Sequence, residues 1–360
     1  MKRCYAVDFW KFLFSIVIVL FHGRILGGDY EAGNLVLFPH GNIAVEFFFV
    51  VSGFLMAYSE FAKRNRMKEV GTISASCKFI VKKYKGLLLP VFASWILTFC
   101  TMQIVDGCSK KEVIKNLGSG IFEGLLLNNT GLVGYKCMTH IWYISAMLIA
   151  MIFLYPFLYK YKDKFLKYIA PVIGLIFLGY ICATYGSLGD THEWIGITYR
   201  SNIRAVGEIA LGCFVFYLWR KIATIHFTRI GSLILSIIEI TGYICSIGFM
   251  QVGSDSPIDF TIVFIFAICI LITFSGKSSI DNIFFAWKGW KYFGKLSLYI
   301  YLNHWVVKEV LATINKSYRE LIIIELLVTV VIALIMMKLC DFIKKIYIKY
   351  KNQIWSMIRL

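Results

Sequence analysis

The sequence has little charge and few helix-breaking residues for its length. Only 16% of its 360 residues are charged and only five are proline, whereas a soluble globular domain is roughly 25% charged. This scarcity of charge excludes a soluble enzyme and a disordered chain. The ten cysteines include no Cys-x-x-C pair, so the sequence predicts no zinc or iron–sulfur site and no bound metal.

Apolar residues dominate instead, and they occur in long blocks. Hydrophobic residues make up 59% of the chain, and the mean hydropathy is +0.71. A helix needs about 20 mainly apolar residues to cross a bilayer, and the blocks have this length. They predict an all-α polytopic membrane protein with about ten transmembrane helices, at roughly 6–26, 42–59, 87–105, 139–158, 169–185, 202–218, 230–250, 257–275, 292–312 and 320–338.

The net charge of +17 is distributed unevenly between the two faces that these spans define. One face, which includes both termini, carries 27 lysines and arginines, the other carries 10, and Lys11 lies inside the first span. Cytoplasmic loops are enriched in such residues. We therefore expect both termini in the cytoplasm and a multi-pass protein of the plasma membrane. The basic excess then reflects topology and anionic lipid rather than nucleic acid.

The segments outside the spans are short. We expect one membrane domain, residues 1–340, followed by a basic amphipathic cytoplasmic tail, residues 341–360. The outer loop 106–138 contains Ile121–Leu127, an apolar run too short to span, which predicts a re-entrant or interfacial segment. The same loop holds Cys108 and Cys137, which could form a disulfide.

Ionisable residues inside spans are costly and therefore point to function. In the first helix, Asp8, Lys11, Ser15 and His22 follow spacings of 3, 4 and 7, which place them on one face. Lys11 and His22 are separated by about 16 Å along the axis. The alternative is that this polar face only joins helices, with Lys11 reaching the interface.

Further polar residues fall in the outer half of other spans. Several imidazoles close to an acidic group favour proton-transfer chemistry. Purely structural roles are the alternatives. Arg204 and Glu208 could only pair with each other, Glu46 could stabilise the start of its helix, and Trp142 could anchor its helix at the membrane interface. These candidates are Glu46, His140, Trp142, Arg204, Glu208, Tyr301 and His304.

A basic cluster marks the cytoplasmic end of the third span. Lys82, Lys83 and Lys85 stand just before Gly86 to Pro90. They are either topology signals or, together with Lys11, a cationic rim for a phosphate-bearing ligand.

The order of these landmarks resembles the membrane acyltransferase family 3, integral-membrane enzymes that O-acylate bacterial cell-surface glycans. The resemblance covers residues 5 to about 340, with Lys in place of the commoner Arg at Lys11 and in the basic cluster. The acidic pair that often follows the third motif is replaced by Ala146-Met147-Leu148. The matching segments are Lys11 to His22, Glu46 to Phe54 with Ser52-Gly53-Phe54, Lys82 to Pro90, His140 to Ser145, and Gly294 to His304.

The resemblance implies an acyl donor and a sugar acceptor that meet inside the membrane. Acyl-CoA, with acetyl the family default, would bind from the cytoplasm with its phosphates near Lys11, Lys82, Lys83 and Lys85. His22, oriented by Glu46, would act as the base on a hydroxyl of a cell-surface glycan or lipid-linked precursor, with an acyl-His intermediate as the alternative. The implied substrate-binding residues are Ser52, His140, Trp142, Arg204, Glu208, Tyr301 and His304.

Two other classes of protein compete with this interpretation. A transporter or flippase of a glycan or lipid-linked sugar would favour inverted repeats and helices broken at mid-membrane. The sequence shows no evident repeat, and its prolines lie near span ends. A purely structural or receptor-like protein would leave the aligned lysine and histidine of the first helix without a purpose.

Overall fold

The computed structural model describes residues 3–26, 36–63, 70–132, 134–189, 192–314 and 316–358. The fold is all-α. Only one two-stranded antiparallel ribbon, Trp194–Ile195 with Thr198–Tyr199, occurs among these residues. The α-helices are Tyr5–His22 (α1), Ala44–Lys63 (α2), Thr72–Val105 (α3), Lys110–Gly124 (α4), Trp142–Lys164 (α5), Ala170–Tyr185 (α6), Arg200–Ile222 (α7), Arg229–Val252 (α8), Ile258–Ser275 (α9), Trp290–Ala312 (α10) and Tyr318–Ile358 (α11).

Eight stretches of the described chain are long and apolar enough to cross a membrane. One of them, Thr139–Tyr185, contains two helices, because the backbone leaves the helical region at Lys162 (φ 48°, ψ −117°). α10 is not among the eight, since Lys291, Lys295, Lys308 and Glu309 raise its charge. Each predicted span nevertheless coincides with a helix, and the protein is an all-α polytopic membrane protein, as predicted.

α4 is the helix that the ten predicted spans do not include. It overlaps the predicted re-entrant segment, Ile121–Leu127, only in part. It ends at Gly124 and begins upstream of the apolar run, where Ser109 and Glu112 form a capping box. α4 returns alongside α3: Asn116 donates to Gln103, and Gly124 lies against Trp95. The helix therefore folds back from the end of α3 toward its middle. Cys108 and Cys137 are both free, so the disulfide is not formed.

Two helices are longer than their predicted spans. α3 begins at Thr72 and α11 continues to Ile358. The predicted tail, residues 341–360, thus extends the last helix as far as Ile358, and the end of the chain lies outside the described residues. We call the end of the bundle where α1 begins the inner end and the end where α1 finishes the outer end.

Close helix packing positions the outer-end side chains. α2 and α7 meet at a pair of glycines: a Cβ at Gly53 would lie 2.0 Å from the Ile209 carbonyl oxygen, and one at Gly212 would lie 2.1 Å from that of Val50. No side chain fits at such a crossing. The Ser52-Gly53-Phe54 segment therefore lets two backbones touch, and α2 and α7 are held in fixed register.

Candidate active site

A cavity of about 300 Å³ opens at the outer end of the bundle. Its wall comes from the last turn of α1, the 3₁₀ turns Gly41–Ile43 and Thr139–Ile141, the start of α5, the middle of α10 and the α8–α9 turn. The lining residues that carry polar or aromatic groups are Phe21, His22, Arg24, His40, Asn42, Thr139, His140, Trp142, His192, Asp255, Tyr301 and Trp305.

His22 and His304 form a hydrogen-bonded pair beside this cavity. His22 Nδ1 lies 3.0 Å from His304 Nε2, and the two rings stack with their centroids 5.0 Å apart. His304 is fully buried, whereas His22 is half-buried and lines the cavity. α1 and α10 run side by side over their whole length, since Asp8 lies against Gly294 at the other end. The pair is therefore set by helix packing.

The neighbouring carbonyls fix the tautomers of the neutral pair. His304 Nδ1 lies 2.7 Å from the Tyr301 carbonyl oxygen, which can only accept, so Nδ1 carries the hydrogen and Nε2 accepts. His22 Nδ1 must then donate, to His304 Nε2 or to the Ile18 oxygen at 3.1 Å. His22 Nε2 is left with a lone pair and makes no hydrogen bond within the described residues. This arrangement is the one a general base requires.

His140 completes a group of three imidazoles. Its ring centroid lies 4.7 Å from that of His304 and 5.1 Å from that of Trp305, on which it stacks. The ring is buried, and neither nitrogen hydrogen-bonds to any described residue. Tyr301 donates its hydroxyl to the His140 carbonyl oxygen. Tyr301 thus fixes the backbone of His140, and the two nitrogens of His140 remain for a ligand.

Glu123, which sequence reasoning missed, holds the backbone just before His140. One carboxylate oxygen accepts from the N–H groups of Cys137 at 2.9 Å and Met138 at 3.0 Å. Burial raises the pKa of Glu123, and these two N–H groups act in the opposite direction. The acidic residue lies on α4, fourteen positions before Cys137. No local pattern could have paired it with the histidine motif.

Glu46, which the sequence predicts to orient His22, contacts Arg204 in this structure. Its carboxylate is paired with Arg204, which also donates to Glu208 at 3.0 Å and to the Leu188 carbonyl oxygen at 2.9 Å. All three charged side chains are at most 1% exposed, and none lines the cavity. Arg204 attracts Glu46 because a buried carboxylate needs a cation more than a neutral ring. The partner of His22 is His304.

Other predicted substrate contacts are distributed between the cavity and its supports. Trp142 lines the cavity and lies 5.7 Å from the Arg204 guanidinium, so it joins the cavity to the ion pairs. Ser52 donates to the Met147 sulfur at 3.3 Å between α2 and α5, and it does not line the cavity. Arg204, Glu208 and Ser52 therefore support the site in this structure rather than face the cavity.

The predicted donor-binding lysines lie at the inner end. Lys11 is half-buried on α1 and lies about 16 Å from His22 by helical rise. On α3, Lys82 and Lys85 are exposed, and the half-buried Lys83 places its ammonium 6.0 Å from the Phe79 ring. The lysines and His22 thus occupy opposite ends, as the sequence predicts.

The outer wall of the cavity contains groups that sequence reasoning did not select. Arg24 donates to the Pro39 carbonyl oxygen at 2.8 Å. His40 lies between two carboxylates, with Nε2 3.0 Å from Asp259 and Nδ1 3.3 Å from Asp255. Their ligand atoms lie within 4.8 Å of one another, a spacing that could hold a metal ion. However, each ring nitrogen of His40 already faces its own carboxylate. These contacts explain why the three side chains lie together without a metal ion.

Comparison with known protein families identifies the family to which the chain belongs. The family model for the acyltransferase domain of acyltransferase family 3 matches residues 5–343, essentially the whole chain. The chain belongs to this family. It is therefore a membrane acyltransferase, as the motifs predicted. No curated protein and no solved structure matches the chain significantly.

Proposed function

We propose that this acyltransferase moves an acyl group, acetyl in the first instance, from cytoplasmic acyl-CoA to a hydroxyl of a cell-surface or exopolysaccharide sugar. The observation that carries the proposal is the His22–His304 pair at the outer cavity, in which His22 lies on the same helix as Lys11. A donor entering from the inner end and an acceptor entering from the outer end would meet at His22. The corresponding location is the plasma membrane of a bacterium.

His22 Nε2 is the proposed general base. It takes the proton of the sugar hydroxyl as the hydroxyl oxygen attacks the thioester carbonyl carbon. The resulting imidazolium is held by the Nδ1–H hydrogen bond to His304. When the carbon–sulfur bond breaks, the imidazolium returns its proton to the departing thiolate. A positioned base of this kind contributes typically ~10²–10⁴-fold in rate.

The remaining cavity groups suit a sugar and the developing oxyanion. Trp142 and Trp305 present aromatic surface, and Asp255 and Arg24 offer an acceptor and donors from the outer loops. The ring nitrogen of His140 that carries the hydrogen is a candidate to donate to the tetrahedral oxyanion. In the proposal, Lys11, Lys82, Lys83 and Lys85 hold the donor's phosphates.

The test is transfer by the purified protein in liposomes. Isotope-labelled acetyl-CoA is supplied on one side, and acceptor glycan isolated from cells lacking the gene is supplied on the other. We expect labelled O-acetyl groups on the glycan by mass spectrometry. Glycan that crosses the bilayer unmodified would instead support a flippase and contradict the proposal.

A further inference from the structure

A second cavity, of about 450 Å³, opens at the inner end of the bundle, away from the histidines. It is formed by the end of α5, the π-helical turn before α6 and the end of α7, and it contains four cationic side chains and one carboxylate. The lining residues are Asp163, Lys164, Lys167, Tyr168, Tyr217, Arg220, Lys221 and Thr224. We refer to it as the basic cavity.

An unusual backbone builds the basic cavity. Lys162 has a positive φ of 48°, and residues 165–169 form a π-helical turn between α5 and α6. A positive φ is uncommon for a non-glycine residue, and π-turns occur frequently at functional sites. The break reverses the chain, so the start of α6 packs beside the end of α7. Arg220 closes the cavity by pairing with Asp163.

The cavity has more positive charge than its own carboxylate balances. Two of the lysines lie over tyrosine rings: the Lys167 ammonium is 4.7 Å from the Tyr168 ring centroid, and that of Lys221 is 5.8 Å from the Tyr217 centroid. Cations at the end of α7 also complement its helix dipole. That role accounts for Arg220 and Lys221, and for Lys164 at the end of α5, but not for Lys167 in the turn between α5 and α6.

An apolar surface runs directly outward from this charge. Tyr168 and Ile169 border the cavity, and the outward-facing residues of α6 continue from them along the helix axis. The exposed side chains are Tyr168, Ile169, Val172, Leu175 and Ile176. A phosphate in the basic cavity would therefore have room for acyl chains against α6. Basic pockets between helices on the cytoplasmic side bind the head groups of anionic lipids.

We propose that the basic cavity binds the phosphate head group of an anionic phospholipid of the inner leaflet, whose acyl chains lie along α6. The ligand is a lipid rather than the donor nucleotide because the cavity adjoins the exposed apolar surface of α6, whereas α7 contacts α2 and α9, which in turn contact α1, the helix that carries Lys11 and His22. The inference does not depend on the proposed function, since lipid binding requires neither donor nor acceptor.

The test compares two double variants of the full-length protein with equal loss of charge. Lys167→Gln with Lys221→Gln removes two cavity cations, and Lys288→Gln with Lys291→Gln removes two exposed lysines near the start of α10. Native mass spectrometry measures binding of phosphatidylglycerol and of phosphatidylcholine to each protein. Lys167→Arg with Lys221→Arg restores the charge and serves as the rescue variant.

We expect the wild-type protein to prefer phosphatidylglycerol and the cavity variant to bind it roughly 10- to 30-fold more weakly, as two lost lysine–lipid attractions imply. The control variant at Lys288 and Lys291 should change by less than about threefold, and the arginine variant should bind normally. Equal weakening in both glutamine variants would overturn the proposal, as would equal binding of the two lipids by the wild type. Displacement of bound phosphatidylglycerol by free coenzyme A would assign the cavity to a nucleotide and also overturn it.

Discussion

The charged groups that matter at the two ends of the bundle differ in their exposure to solvent. At the outer end, Glu46, Arg204 and Glu208 are at most 1% exposed, and Arg204 pairs with both carboxylates. At the inner end, Lys82 and Lys85 are exposed. The outer-end charges are fixed by packing, so removing one leaves its partners buried and unpaired. These exposed lysines are solvated, so their loss should affect only a ligand that binds there.

The two ends also differ in the kind of interaction that they can make with a ligand. His22 and His304 at the outer cavity have defined hydrogen-bond partners, which chemistry at one atom requires. Exposed lysines attract phosphates over several ångströms and need no fixed geometry. We therefore expect substitutions at the outer end to lower kcat or folding stability, and those at the inner end to raise KM.

The largest effect is expected for His22→Ala. Loss of the base should reduce acyl transfer by ~10²–10⁴-fold, while insertion and thermal stability stay close to normal, because a half-buried polar group is removed from a span. Transfer assays in liposomes and size-exclusion chromatography measure the two quantities. The matched control is His226→Ala, at the inner end. A well-folded His22→Ala protein with normal transfer would show that His22 does not act as the base.

Arg204→Ala should destabilise the fold rather than alter the chemistry specifically. Removing one partner of a buried ion pair costs about 3–5 kcal/mol, since Glu46 and Glu208 would remain buried without a cation. The thermal midpoint in detergent should fall sharply. Arg220→Ala removes an arginine from a partly exposed pair with Asp163 and should change the midpoint little. Equal midpoints for the two variants would remove the distinction between the ends.

His304→Ala tests the partner that the structure gives to His22. Loss of the acceptor at His304 Nε2 should lower kcat by about tenfold, the value of one charge-assisted hydrogen bond, with little change in KM for acyl-CoA. His304→Gln supplies another acceptor and should recover part of the rate. If Glu46→Gln lowered kcat more than His304→Ala without loss of stability, the sequence-based role of Glu46 would be restored.

Lys83→Ala with Lys85→Ala should raise the KM for acyl-CoA by several-fold and leave kcat unchanged. The effect is small because Lys85 is exposed and its attraction for phosphate is screened. Lys110→Ala with Lys111→Ala, on the outer loop, is the matched control. An unchanged KM in the first variant would reduce the α3 lysines to topology signals.

A pH-dependent effect is expected for Asp281, a carboxyl near the inner end. Burial, with a contribution from Glu239, raises its pKa from 3.8 to about 7. The unfolded chain ionises near pH 4 but the folded protein only near pH 7, so stability falls as the pH rises through this interval. Asp281→Asn should raise the thermal midpoint at pH 8 and leave it nearly unchanged at pH 4. A pH-independent difference would contradict this.

Much of the helical layout could be predicted because a bilayer requires long apolar blocks, and these are visible in one dimension. The position of Lys11 and His22 on the same face of α1 likewise follows from the helical period. The partners of Glu46 and His22 could not be predicted, since the pairing of α2 with α7 and of α1 with α10 depends on glycine contacts between distant segments. Glu123 was missed for the same reason: it reaches the His140 turn only because α4 folds back along α3.

The most direct test of the central claim is chemical rescue of the missing base. His22→Gly should lose acyl transfer. Free imidazole at millimolar concentration should occupy the cavity beside His304 and raise the rate of this variant at least about tenfold. Restoration that depends on the neutral form of imidazole is the predicted result. A His22→Gly protein that transfers acyl groups at the wild-type rate without imidazole would contradict the assignment of His22 as the base.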